Sequence, residues 1–257
     1  MTLLVIVAHP DDETFGCGSI LMHAAERTRT VVVCATRGEA GEYAPGGEVP
    51  APGLAGIREA ELREAAARMG VDAVEVLDFL DSGMDGEPPA GSLCGASSDA
   101  VIAAVRSAVE RHRPTVVVAL DASDGHRDHA RIRDAVTQVV GETEGTALYL
   151  QCLPRSLMHR WLRHANPEMA SPYAVLPDIG TPDEDVTTVL DTTRYYDARR
   201  AAIALHRSQH SPFDGLPDDL ARRFLAEEHL RRVIPAREGG VGSAIAELDL
   251  MAVSPVS

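Results

Sequence analysis

"LLVIVAHPDDETFG" (Leu3–Gly16) runs six apolar residues into a histidine, a proline and three consecutive acids. The apolar run is continuous rather than alternating. That pattern marks a strand covered on both faces, and such strands belong to parallel sheets. The polar residues follow at the strand's carboxyl end, the edge where open α/β sheets bind ligands. Pro10 keeps His9 out of a helix and lets one start just after it. Carboxylates crowded behind a buried strand are costly unless positive charge offsets them.

The same pattern recurs downstream. "TVVVCAT" (30–36), "AVEVLDF" (73–79), "TVVVAL" (115–120) and "TALYLQC" (146–152) read as further buried strands. Between them lie amphipathic segments at 55–70, 97–114 and 129–142, the first stopped by Gly70, the second opened by a serine cap and closed before Pro114. A βαβ succession of this kind predicts an α/β fold: a Rossmann-like, doubly wound, mostly parallel sheet with helices on both faces. We expect one domain over 1–257, with a core over about 1–152 and a C-terminal elaboration over about 153–257. In the elaboration we expect a strand over 185–192, helices over roughly 194–210 and 216–232, and a strand in the tail (236–257). Loops 38–56, 82–96 and 153–185 are expected to line the mouth of the crevice.

The net charge of −15, from 39 acids against 24 basic residues, argues against nucleic acid or an anionic membrane as partner. All of the basic residues are arginine, which excludes Schiff-base and phosphate-loop lysine chemistry. Cys17, Cys34, Cys94 and Cys152 form no CxxC pair and do not read as a disulfide framework. With no secretion leader before the first strand and no apolar run long enough to span a bilayer, a cytoplasmic protein is expected. A homo-oligomer is compatible with the sequence.

Two polar clusters stand at strand ends. A tight turn after the first strand puts residues three apart on one side, so His9 and Asp12 converge while Asp11 points away. "DASDGHRDHARIRDA" (121–135) adds Asp121, Asp124, His126, Asp128 and His129 after the fourth strand. In the strand order 3-2-1-4-5 the first and fourth strands are neighbours at the switch point, so the two loops flank one crevice. Histidine with carboxylate is a common zinc ligand set, and a divalent cation would offset the crowded acids. The alternatives are ordinary. Acids in a first helical turn also cap, and Asp128 is a candidate cap of the third helix. Gly16 and Gly18 form a GxG lacking the third glycine of a dinucleotide loop. They are the basis of a rival reading, a non-catalytic nucleotide-binding protein.

"AHPDDE" (8–13) with "GHRDH" (125–129) resembles the zinc-dependent de-N-acetylases of the LmbE/PIG-L superfamily, which remove N-acyl groups from amino sugars. "TRGEAGE" (36–42), Arg58 with Glu61, "DSGM" (81–84) and "HRSQ" (206–209) extend the match in order along most of the chain. The resemblance implies one zinc per chain held by His9, Asp12 and His129, with Asp11 as general base. It implies that a protonated His126 stabilises the oxyanion or serves as acid, and that Arg58 and Asp81 contact the sugar. Asp128 would orient a histidine from behind. Some members carry an aromatic residue where this chain has Asp124, a departure that bears on how the oxyanion is held. The implied function is hydrolytic removal of an N-acyl (acetyl) group from a small amino-sugar metabolite, in an actinobacterial setting that includes antibiotic biosynthesis. An amidase acting on mycothiol-type thiol conjugates is the alternative within the same chemistry.

Overall fold

The computed structural model describes residues 1–165, 173, 176 and 178–235. Five parallel strands come first: β1 (Thr2–Val7), β2 (Arg29–Cys34), β3 (Ala73–Val76), β4 (Val116–Leu120) and β5 (Ala147–Gln151). Two antiparallel strands, β6 (Thr188–Asp191) and β7 (Glu227–Ile234), extend the sheet beyond β5. The sheet order is β3-β2-β1-β4-β5-β7-β6, which contains the expected 3-2-1-4-5.

Successive side chains of a strand point to opposite faces, and β1 shows the consequence. Leu3, Val5 and Val7 pack on one side with Ile20 and Leu21 of α2 (Gly18–Ala25) and Leu62 of α3 (Leu54–Arg68). Leu4 and Ile6 pack on the other with Val101 and Val105 of α4 (Ser98–His112) and Ile132 and Val136 of α5 (Arg127–Gly141). Both faces are therefore covered, which explains why the strand sequences are continuous rather than alternating. Each fully buried aliphatic side chain contributes about 1.5–3 kcal/mol relative to exposure.

A third apolar cluster belongs to the elaboration. It joins Leu157, Met158 and Trp161 of α6 (Arg155–His164) to Tyr196 and Ile203 of α7 (Tyr196–Ile203) and Leu220 and Phe224 of α8 (Asp218–Leu225). Polar contacts tie α1 (Asp12–Phe15) to the elaboration. Arg199 on α7, only 1% exposed, donates to the carbonyls of Thr14 and Phe15 and to the Glu228 carboxylate at 2.7 Å.

Several expectations change. The helix expected right after Pro10 is broken into α1 and α2 at Gly16–Cys17. The helix over 194–210 stops at Ile203, because the chain turns there to bury His206. The helix over 216–232 ends at Leu225, and Glu227 begins β7. "EEHLRR" has helical composition, yet its backbone pairs with β5 on one side and β6 on the other, and tertiary pairing overrides weak local propensity. The strands expected over 73–79 and 185–192 shorten to β3 and β6, and α6 had no counterpart in the sequence reading. The expected tail strand lies outside the described residues. Among those described, no helix is long and apolar enough to cross a membrane.

Candidate functional site

The carboxyl ends of β1 and β4 are adjacent, and their loops bring His9, His126 and His129 together. One ring nitrogen from each lies within 4.8 Å of the others. The His126 and His129 rings stack at 4.7 Å between centroids, and His9 meets His126 edge-on at 4.6 Å. Asp12 lies between two of them. Its Oδ2 is 3.6 Å from His9 Nδ1, and its Oδ1 is 3.3 Å from His129 Nε2.

The far side of each ring is held by another acid. His9 Nε2 is 3.2 Å from Asp128 Oδ2, and His129 Nδ1 is 2.7 Å from Asp124 Oδ2. Metal-ligating histidines are oriented in this way, one nitrogen on the ion and the other N–H on a carboxylate. His129 Nε2 is buried yet makes no hydrogen bond. That orphaned nitrogen, facing Asp12 and the near side of His9, fits a cation whose ligands are His9, Asp12 and His129. A second grouping, His9 with Asp81 and Asp128, uses the opposite edge of His9.

Charge in the cluster is finely divided. Burial opposes a charged His9, but Asp12, Asp128 and Asp81 hold its pKa well above the ordinary value. Burial likewise opposes charge on His129, while Asp12 and Asp124 raise it to about 10. His126 goes the other way: burial, with His9 and His129 beside it, lowers it to about 4. Its Nδ1 accepts the Asp128 N–H at 3.2 Å and caps α5, so its proton sits on Nε2. The cap of α5 is His126, and Asp128 is spent on His9 and on the Ser82 N–H.

Asp11 occupies a strained turn, with φ of 109°. That region is unfavourable for a non-glycine residue and persists only where neighbours enforce it. Glu13 does so: its Oε2 accepts the Asp11 N–H at 2.9 Å, and its Oε1 accepts from Thr14 Oγ1 and from His206 Nε2 at 2.8 Å. The Asp11 carboxylate turns to Arg58 Nη2 at 3.1 Å but still lines the cleft. Burial raises its pKa to about 6 against the pull of Arg58. Arg58 is largely consumed by the protein, donating also to the carbonyls of Gly38 and Pro10 at 2.6 Å each. Asp81 accepts the Gly83 N–H and stands 3.6 Å from His9 Nε2. Arg58 and Asp81 line the same cleft, of about 370 Å³.

Three contributions were not readable from spacing. Asp124 acts through His129, and Glu13 and His206 act through the Asp11 backbone. From "HRSQ", Gln209 reaches the cleft, whereas Ser208 donates to Glu61 at 2.6 Å inside the protein. Gly16 and Gly18 are explained by packing. A Cβ on Gly16 would lie 2.7 Å from Leu120 Cδ2, and one on Gly18 3.2 Å from Arg199 Cγ. Neither glycine is shaped as a phosphate loop.

The chain is similar to several known proteins. A 1D-myo-inositol 2-acetamido-2-deoxy-alpha-D-glucopyranoside deacetylase from Rhodococcus jostii (strain RHA1) is 32% identical, over 88% of this chain and 89% of its own. Among solved structures, N,N'-diacetylchitobiose deacetylase from Pyrococcus horikoshii superposes with a TM-score of 0.62 at 20% identity, covering 90% of this chain and 83% of that one. The 4-carboxy-2-hydroxymuconate hydratase of Pseudomonas putida KT2440 also scores 0.62, at 19% identity over 94% of this chain and 99% of its own, so this fold hosts more than one reaction. Residues 4–140, carrying both loops of the histidine cluster, match the family described as GlcNAc-PI de-N-acetylase, and the chain belongs to that PIG-L family.

Proposed function

We propose that the protein is a zinc-dependent hydrolase that removes the N-acyl group of an amino sugar, releasing a free amine and a carboxylate. The observation that carries this reading is Asp12 lying between His9 and His129, whose buried Nε2 makes no hydrogen bond, with Asp11 and His126 lining the same cleft. The relative from Rhodococcus jostii, similar along most of both chains, makes a glucosaminyl-inositol amide the first substrate to try.

Zinc bound by His9, Asp12 and His129 would supply Lewis acidity, polarising the amide carbonyl and lowering the pKa of water. The chain does the rest. Asp11, its pKa lifted by burial, takes a proton from the attacking water. The neutral His126 points its Nε2–H into the cleft and donates to the oxygen that gains charge as the carbonyl becomes tetrahedral. Asp11 then returns its proton to the amine nitrogen as the C–N bond breaks. Arg58 keeps Asp11 in place rather than free to swing, and Asp128 and Asp124 fix the rings of His9 and His129.

The test is amine release from N-acetylglucosaminyl-inositol and from simple N-acylglucosamines. Asp11→Asn should lower kcat by about 10²–10⁴-fold while the zinc content stays that of the native protein. Full activity in that variant, with metal lost, would refute the base assignment.

A further inference from the structure

His9 is held from behind by Asp128, and Asp128 is itself held. An aspartate carboxylate turns easily about its last bond, so its partners decide its orientation. Asp128 Oδ2 accepts from His9 Nε2 at 3.2 Å and from the Ser82 N–H at 3.0 Å. Its Oδ1 accepts from the Cys94 thiol at 3.1 Å. Cys94 is the half-buried cysteine of the chain; Cys17 and Cys34 are packed in the first apolar cluster, and Cys152 is fully buried.

The place of Cys94 follows from its neighbours. Leu93, fully buried, is anchored in the second apolar cluster, and its N–H bonds the Leu80 carbonyl at 2.9 Å. The next N–H, that of Cys94, donates to Ser82 Oγ at 2.8 Å. Ser82, Cys94 and Asp128 thus close a small ring between the β3–α4 connection and α5. Burial and the Asp128 carboxylate push the thiol's pKa above its ordinary value, so it keeps its proton as a donor. Neither Cys94 nor Asp128 lines the cleft, so whatever they do passes through His9.

We infer that Cys94 is a positioning residue for the metal site: its S–H pins Asp128, and Asp128 pins the His9 ring so that Nδ1 faces the Asp12 side. This rests on the zinc-binding part of the hydrolase reading and extends the supports of His9 by one residue.

Chelator competition measures zinc affinity in the native protein and its variants without any turnover. Cys94→Val fills the space but offers no donor. It should weaken zinc by about tenfold, the low end of what losing an outer partner of a ligand histidine costs. Cys94→Ser keeps a donor and should bind zinc nearly as the native protein does. In an Asp128→Ala background the valine change should have no further effect, because the path from Cys94 to His9 is gone. Should the valine variant not fold, Cys94→Ala in the same assay decides. Equal affinity in the native and valine proteins overturns the inference. So does an equal loss in Cys94→Ser, or one that persists beside Asp128→Ala, since either makes Cys94 a support of the loop alone. The two readings fail separately. Native protein that binds no zinc removes the hydrolase reading and the inference with it, whereas zinc held equally by native and valine proteins removes only the role of Cys94.

Discussion

Replacing His206 with leucine should unfold the turn that holds Asp11. The side chains of His206 and Glu13 are both fully buried, and among the described residues their contact at 2.8 Å is the one ion pair that reaches the Glu13 carboxylate. The other two donors to Glu13, Asp11 N–H and Thr14 Oγ1, are neutral. Leucine fills comparable space but leaves a buried carboxylate without its partner. Breaking a buried pair from one side costs about 3–5 kcal/mol, a large part of the roughly 5–15 kcal/mol that holds a domain folded. Adding Glu13→Gln to the leucine variant removes the stranded charge while keeping an oxygen for the Asp11 N–H, so the double variant should recover most of that loss. Urea unfolding of the four proteins at about pH 6, with similar m-values, measures the cycle. The pH dependence has a definite sign. Burial works against a charged His206, but Glu13 and Asp11 raise its pKa above the ordinary 6.5. A raised folded-state value means that the stabilisation is complete below that ordinary pKa and declines as pH rises through the folded one. The gap between native and leucine proteins should therefore narrow as pH rises above the ordinary histidine range. A leucine variant costing under about 1 kcal/mol, as an exposed pair would, refutes the reasoning. So does a double variant no more stable than the single one.

Asp124→Asn should weaken zinc binding by about 10–100-fold, because His129 loses the carboxylate that orients it; chelator competition reads this directly. His126→Ala should leave zinc bound and lower kcat by about 10²–10³-fold in amine release, the cost of one donor to the oxyanion. Arg199→Met should cost about 3–5 kcal/mol in chemical denaturation, since it strands Glu228, which is 1% exposed, and frees the carbonyls at the end of α1.

How much of this could be read from the chain depends on where the deciding forces act. The first five strands were legible because burial on both faces leaves a local trace, the continuous runs from Leu3, Thr30 and Val116. β7 was not, because Glu228, His229 and Arg231 are unlike strand residues and take that form through backbone pairing with β5 and β6. Glu228 is held there by Arg199 and Ser19. The histidine–aspartate cluster was legible since its chemistry lies in residue type and its meeting follows from strand order. Its supports were not. Asp124 stands out in the sequence as a departure from a pattern, yet its bond to His129 depends on how α5 starts. Glu13 looked like one acid among three, and only the fold brings His206 to it across 193 positions.

The central claim is that His9, Asp12 and His129 jointly hold one metal ion. Crystals of the purified protein, measured on both sides of the zinc absorption edge, locate it. The account predicts a single anomalous peak at about 2.0–2.2 Å from a nitrogen of His9, an oxygen of Asp12 and Nε2 of His129. A peak instead among His9, Asp81 and Asp128, or none in protein shown to be active, would contradict it.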